Sequence, residues 1–127
     1  MSRAVGISIA FFNKKLRLKP VEFSTLKGLT TRCGMEIEGK VAQADSVVVE
    51  RLRKQGMIIL GQVNMHQMGV GVTGVNPSKY AGFCPNPYNL DYHPGASSSG
   101  TAVALALGIA PVGIGTDGGG SVRIPAS

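Results

Sequence analysis

Residues 95–127 read GASSSGTAVALALGIAPVGIGTDGGGSVRIPAS, and this stretch is the most informative part of the chain. It holds two clusters rich in serine and glycine, with Ser97 in the first and Ser121 in the second, 24 residues apart. Glycines beside a serine allow backbone N–H groups and hydroxyls to converge on one small volume. Acyl-transfer chemistry needs such a place, because a nucleophile must lie beside donors that stabilise an oxyanion. The pair of clusters indicates this chemistry more specifically than either cluster alone.

Two helices are predicted around these clusters. One runs over residues 46–55, with Asp45 as its N-cap and Gly56 in the left-handed position that ends it. The other is a small-residue helix over 101–107, which Ser98 or Ser99 can cap and which Gly108 ends. Its alanines would let it lie close to its neighbours.

Three short apolar runs are predicted to be buried strands, at residues 5–12, 57–61 and 111–115. The rhythm of strand, helix and strand indicates an α/β protein. Residues 64–95 are rich in glycine and proline, and we expect a long ordered loop region there.

The positive charge of the chain lies in its first half. Residues 1–54 carry 11 Lys and Arg against 5 Asp and Glu, whereas residues 55–127 carry 2 of each sign. No interleaved aromatics accompany the basic residues, so a solvated face or a degraded terminus is favoured over a nucleic-acid or membrane patch. The two cysteines are too few for a disulfide framework, and they favour a reducing, cytoplasmic location.

Several pieces of the chain resemble the amidase signature family of serine hydrolases, most closely its plant-like and fungal-like fatty acid amide hydrolase branch. The matched pieces are 48–52 (VVERL), 64–69 (NMHQMG), 86–87 (NP), 95–100 (GASSSG) and 115–126 (GTDGGGSVRIPA). The resemblance implies an α/β fragment of the amidase-type mixed β-sheet core, flanked by helices. We therefore predict a poorly matched segment at 1–27 and a partial catalytic domain at 28–127, truncated after the nucleophile loop.

The resemblance also assigns roles. Ser121 corresponds to the nucleophile, and Ser97 to a bridging serine that a cis peptide bond precedes. The N–H groups of Gly118, Gly119, Gly120 and Ser121 correspond to the oxyanion hole. From the residues themselves, we expect an ion pair between Asp117 and Arg123 to stabilise the turn that carries Ser121. Ser98 is also predicted to support the reacting serines without reacting itself.

The catalytic lysine of the family has no match. The resemblance puts it near position 21 or 22, where this chain has Val21 and Glu22, or, in another register, at Phe12. Lys14, Lys15 or Lys19 would have to substitute, and Lys19 is our candidate base. Surface lysines are the favoured interpretation of all three.

Smaller departures are Gln62 for a lysine, Gln67 for a glutamate and Ala96 for a glycine, none of which forbids the chemistry. His66 and Cys84 are interpreted as structural, because no second ligand lies at metal spacing from His66 and nothing evident activates Cys84. No metal or organic cofactor is implied.

The predicted reaction is hydrolysis of the carbon–nitrogen bond of a small-molecule amide, with a fatty acyl amide as one candidate substrate. The chain alone is expected to have weak or no hydrolase activity, because it has no lysine at the position of the family's base. Two alternatives stay open. One is a remnant or non-catalytic module that binds a ligand or partner. The other is an α/β module that binds phosphate on the turn from Gly118 to Ser121.

Overall fold

The computed structural model describes residues 25–33, 35–36, 38–77 and 82–127. Two short strands come first in this part of the chain. Strand β1, Thr30–Thr31, pairs antiparallel with β2, Lys40–Val41, so that Thr30 lies opposite Val41 and Thr31 opposite Lys40. The predicted strand at residues 5–12, the lysine positions at 12, 21 and 22, and Lys19 lie outside the described residues.

Helix α1 is Val47–Lys54, close to the predicted range. Its N-cap is Ser46, and no side chain of the described residues caps it. The prediction that Asp45 caps this helix is wrong, because the Asp45 carboxylate accepts the Lys27 N–H at 2.7 Å and the Arg53 Nε–H at 2.9 Å instead. Asp45 thus ties the segment before β1 to the last turn of the helix.

The packed core lies on one side of α1. Val49 is fully buried against Leu26, and the helix presents Val48, Val49 and Leu52 on one stripe, as an amphipathic helix does. Ile59 and Ile114 pack against this cluster from segments that were predicted to be strands. The helix therefore shares its core with two extended chain segments.

Those two segments, residues 57–61 and 111–115, do not form strands, so this part of the prediction is wrong. Their apolar side chains favour burial, but a strand also needs a neighbour that pairs with its backbone. Within residues 25–33, 35–36, 38–77 and 82–127, the sheet has only β1 and β2. An α/β arrangement is present, and the larger mixed sheet is not seen in this part of the chain.

Helix α2 is Ser99–Ala106, and a final turn, α3, is Arg123–Ala126. A 3₁₀ turn covers Gln67–Gly69. Both predicted glycine ends are confirmed, because Gly56 and Gly108 have φ of +79° and +66°. After α2, the Gly108 N–H donates to Leu105 O and the Ile109 N–H to Ala104 O, both at 2.9 Å, as in a Schellman ending. In the described residues no helix is long and apolar enough to cross a membrane.

Candidate active site

The first serine cluster is buried at the N-terminus of α2. Ser97, Ser98 and Ser99 are exposed by 3%, 5% and 0% respectively, and Ala96 beside them is fully buried. The peptide bond between Ala96 and Ser97 is cis, as the resemblance predicts. Backbone groups and the Ser98 hydroxyl bind this cluster to neighbouring segments, whereas the buried Ser99 Oγ has no hydrogen-bond partner among the described residues.

The preceding loop holds this cluster from one side. The His66 N–H donates to Ser97 O at 3.0 Å, and the Gly100 N–H donates to Asn64 O at 2.9 Å. The Asn64 side chain is fixed in turn, because its Nδ2 donates to Gly82 O at 2.9 Å. These contacts fix the position of the Ser97 backbone relative to the Asn64–His66 segment.

A buried amide supports this loop. Asn76 is 1% exposed, and its Nδ2 donates to Met65 O at 2.9 Å and to Asn64 Oδ1 at 3.3 Å. Asn76 lies outside the motifs from which the site is predicted. A usable signal was present, because an asparagine in an otherwise apolar and glycine-rich stretch, followed by Pro77, is typical of a hydrogen-bonded turn.

Ser98 joins the two serine clusters. Its N–H donates to Ser121 O at 3.1 Å, and its Oγ accepts the Thr116 N–H at 3.1 Å. Close approach makes this possible, since a Cβ at Gly115 would lie 2.6 Å from Ser98 Oγ. The Thr101 hydroxyl adds a bond of 3.0 Å to Ile114 O. The structure therefore brings the Ser97 and Ser121 segments side by side. The Ser98 hydroxyl is committed to the Thr116 backbone and does not cap α2.

Asp117 organises the second turn. Its carboxylate accepts backbone N–H groups from Gly120 at 2.7 Å, Val122 at 3.1 Å and Arg123 at 3.2 Å. The Arg123 guanidinium adds two bonds, of 3.0 Å from Nε and 2.9 Å from Nη2, so the predicted ion pair is present. The hydrogen bonds from the Arg123 side chain, and then those from the three backbone groups, hold the pKa of Asp117 well below its ordinary value.

This arrangement separates the four predicted oxyanion donors into two sets. The Gly120 N–H is engaged by Asp117, whereas the N–H groups of Gly118, Gly119 and Ser121 have no partner among the described residues. Gly118 and Gly119 are exposed, and Ser121 is half-buried. Three such N–H groups on one turn can stabilise an oxyanion on a substrate that reaches Ser121.

Other candidate groups lie away from this chemistry. Burial raises the pKa of the Cys84 thiol to about 11, so it is a poor nucleophile. Within the described ranges, no group of three or more His, Cys, Asp and Glu side chains could hold a metal ion. The His66 backbone positions Ser97, whereas its buried Nδ1 has no hydrogen-bond partner in the part of the chain that the structure describes.

A groove of about 800 Å³ lies beside the two clusters. It follows α2, α3 and the loop at Pro87, and its walls include Ser98 and Val122, which neighbour the two serines of interest. Ser97 and Ser121 themselves are not in its walls. The groove and the turn that carries Ser121 are thus adjacent but distinct surfaces.

A profile of the amidase family, described as "Amidase", matches residues 22–127. The chain belongs to the amidase family.

Individual relatives are similar over shorter shares of their own length. A fatty acid amide hydrolase of Oryza sativa subsp. indica is 51% identical over 85 residues, which cover 67% of this chain and 14% of that protein. A glutamyl-tRNA(Gln) amidotransferase component of Chromohalobacter salexigens is 39% identical over 127 residues, covering 99% of this chain and 25% of that protein. The crystal structure of the Kluyveromyces lactis urea amidolyase superposes with a TM-score of 0.77 at 37% identity, covering 85% of this chain and 6% of that chain. The chain therefore spans a quarter or less of these relatives.

Proposed function

We propose that this chain carries the nucleophile and the oxyanion-binding turn of a site that hydrolyses the carbon–nitrogen bond of a carboxamide. The observation that supports this most directly is the bond from the Ser98 N–H to Ser121 O, which aligns the two serine clusters. Residues 28–127 would form the corresponding part of the catalytic domain.

In this proposal Ser121 Oγ attacks the amide carbonyl carbon. The N–H groups of Gly118, Gly119 and Ser121 stabilise the oxyanion that forms, and loss of one such donor typically costs about 100- to 1000-fold in rate. Ser97 accepts the Ser121 proton and returns it to the leaving amine. An acyl-enzyme remains on Ser121, and water releases the acid and restores the hydroxyl.

The proton of Ser97 needs a final acceptor, which in the resembling family is a neutral lysine. This chain has Phe12, or Val21 and Glu22, at the corresponding positions, and Lys19 is our candidate substitute. A positioned base contributes about 100- to 10,000-fold, so we expect slow turnover when it is missing or poorly placed.

The substrate class is a small-molecule amide. The rice relative is named for fatty acid amides and the Chromohalobacter relative for amidotransfer to glutamyl-tRNA(Gln). We propose a fatty acid amide as the first substrate to test, because the rice relative has the higher identity of the two.

A burst assay tests the proposed function. An activated p-nitrophenyl ester should acylate Ser121 and release up to one equivalent of p-nitrophenol before slow turnover. Ser121→Ala should abolish the burst, and Ser97→Ala should slow it while the fold persists by circular dichroism. A burst that survives in Ser121→Ala would contradict the assignment. Binding of oleamide with no burst would favour a non-catalytic binding module instead. That module is the second candidate, because no lysine occupies the position of the family's base.

A further inference from the structure

Residues 67–75 form a loop whose two ends meet beside the first serine cluster. The Gln67 N–H donates to Val75 O at 3.2 Å, so the chain returns to the place that it left. The next residue, Asn76, then donates from Nδ2 to Met65 O at 2.9 Å. A compact loop of this kind is stabilised where its ends are tied, and here the tie includes one side chain.

Asn76 enters this junction as a hydrogen-bond donor. Its side chain is 1% exposed, and its Nδ2 also donates to Asn64 Oδ1 at 3.3 Å. Its Oδ1 is buried and has no hydrogen-bond partner among the described residues. Burial of an unpaired polar atom costs free energy, so an apolar side chain would fill this position at a lower cost if packing were the only requirement. The donated bonds are therefore what this side chain contributes.

One peptide group connects Asn76 to Ser97. The carbonyl of that group belongs to Met65 and accepts the Asn76 bond, whereas its N–H belongs to His66 and donates to Ser97 O at 3.0 Å. A peptide group is planar and rigid, so fixing its oxygen also fixes the direction of its N–H. Hydrogen bonds in series polarise one another, so each bond also strengthens the other.

We propose that Asn76 is a positioning residue for the reaction. Through the Met65–His66 peptide group it holds the Ser97 backbone where the Ser97 hydroxyl can take the proton of Ser121. This inference rests on the proposed function, in which Ser97 transfers that proton. Proton transfer depends on placement, and a displacement of about 1 Å can cost about 100-fold in rate.

A double-mutant cycle of acylation rates tests the proposal. Asn76→Leu approximately keeps the side-chain size and removes the donated bonds. It should slow the p-nitrophenol burst about tenfold or more in the wild-type chain. In Ser97→Ala it should slow the burst less than about twofold, because the hydroxyl that it would misplace is already absent. Equal slowing in both backgrounds would overturn the proposal, since Asn76 would then not act through Ser97.

A second variant and a control separate positioning from stability. Asn76→Asp keeps the shape and, as a carboxylate, has no donor, so its burst should also slow about tenfold or more. Val49→Ala is the control, because Val49 is fully buried in the core at Leu26. Rates are compared where circular dichroism shows each variant folded, and Val49→Ala should keep the wild-type rate. A wild-type rate in Asn76→Asp, or equal slowing by Val49→Ala, would overturn the proposal.

Hydrogen exchange provides a readout that does not depend on activity. In Asn76→Leu the His66 amide should exchange at least about tenfold faster, while exchange in α1 stays at the wild-type rate. Unchanged exchange at His66 would overturn this inference alone, even where the wild-type chain shows its burst. No burst from the folded wild-type chain would overturn the proposed function, and the positioning role with it, so the two failures are distinguishable.

Discussion

At the scale of single residues, the turn that carries Ser121 depends on one carboxylate. Asp117 accepts five N–H donors, of which two belong to the side chain of its partner Arg123 and three to the backbone. The Asp117 side chain is 21% exposed and that of Arg123 is 76% exposed. An exposed pair alone contributes little to stability, so the three backbone bonds of Asp117 are its more important contacts.

The low pKa of Asp117 makes the free energy of unfolding depend on pH in the acid range. A carboxyl group whose pKa is lowered in the folded state stabilises the fold at any pH above its ordinary pKa, here 3.8. This stabilisation is lost as the pH falls below 3.8 towards the folded-state pKa. We expect urea unfolding to show wild type more stable than Asp117→Asn at pH 6, with the difference shrinking by pH 3. A difference that stays constant over this range would contradict the role of the charged carboxylate.

The two cysteines should differ in reactivity. Burial raises the pKa of Cys84 to about 11, so about one thousandth of it is thiolate at pH 8. The pKa of half-buried Cys33 is also raised by burial. We expect iodoacetamide to alkylate Cys33 before Cys84 in the native protein, and both equally in urea, as read by peptide mass spectrometry. Faster labelling of Cys84 in the native protein would contradict the structure around it.

At the scale of elements, α2 is held against the Asn64 segment by close backbone contact. A Cβ at Gly100 would overlap the backbone O and N of Asn64, which cannot move aside as a flexible side chain can. We expect Gly100→Ala to lower the free energy of unfolding by about 1–3 kcal/mol.

Gly119→Ala is the matched control for this packing effect, because a Cβ there meets nothing within 4 Å. Its stability in urea should stay near that of the wild type. Equal losses in the two variants would contradict contact with Asn64 as the cause.

Helices and their glycine ends could be predicted from the sequence, because these signals are local. Gly56 and Gly108 both adopt the expected left-handed conformation. Residues 57–61 and 111–115 are predicted to be strands and do not form strands, since a strand depends on a partner that local sequence does not specify. The Asp117–Arg123 pair spans only six residues and was predictable. The bond from Ser98 to Ser121 depends on how two distant segments pack, and only the structure gives it.

At the scale of the whole molecule, the two halves of the chain have different characters. The basic half contains α1 and the core at Leu26 and Val49, whereas the nearly neutral half contains both serine clusters and the apolar groove. The proposed site therefore carries little charge besides the Asp117–Arg123 pair. This favours neutral amide substrates over strongly charged ones.

The effect of the missing lysine can be tested by introducing a lysine at its expected position. Phe12→Lys or Val21→Lys, one for each register of the resemblance, should accelerate acylation of Ser121 about 100-fold or more if a base is what the site lacks. Lys19→Ala should slow the residual reaction if Lys19 is the base. The rates come from p-nitrophenol release at pH 8, with Lys40→Ala, at an exposed position of β2, as the control. Unchanged rates in Phe12→Lys, Val21→Lys and Lys19→Ala would contradict a lysine base at these three positions.

The proposed role of Ser121 as the nucleophile is tested by labelling with a fluorophosphonate, with the site and rate of labelling read by intact mass and by peptide mapping. We predict one phosphonyl group on Ser121, attached slowly because the base is unmatched, with none in Ser121→Ala and an intermediate effect in Ser97→Ala. Labelling at a different serine, or none after prolonged incubation with a folded chain, would contradict the claim. Labelling of Ser121 at the rate of a complete amidase would contradict the expected weakness of this chain.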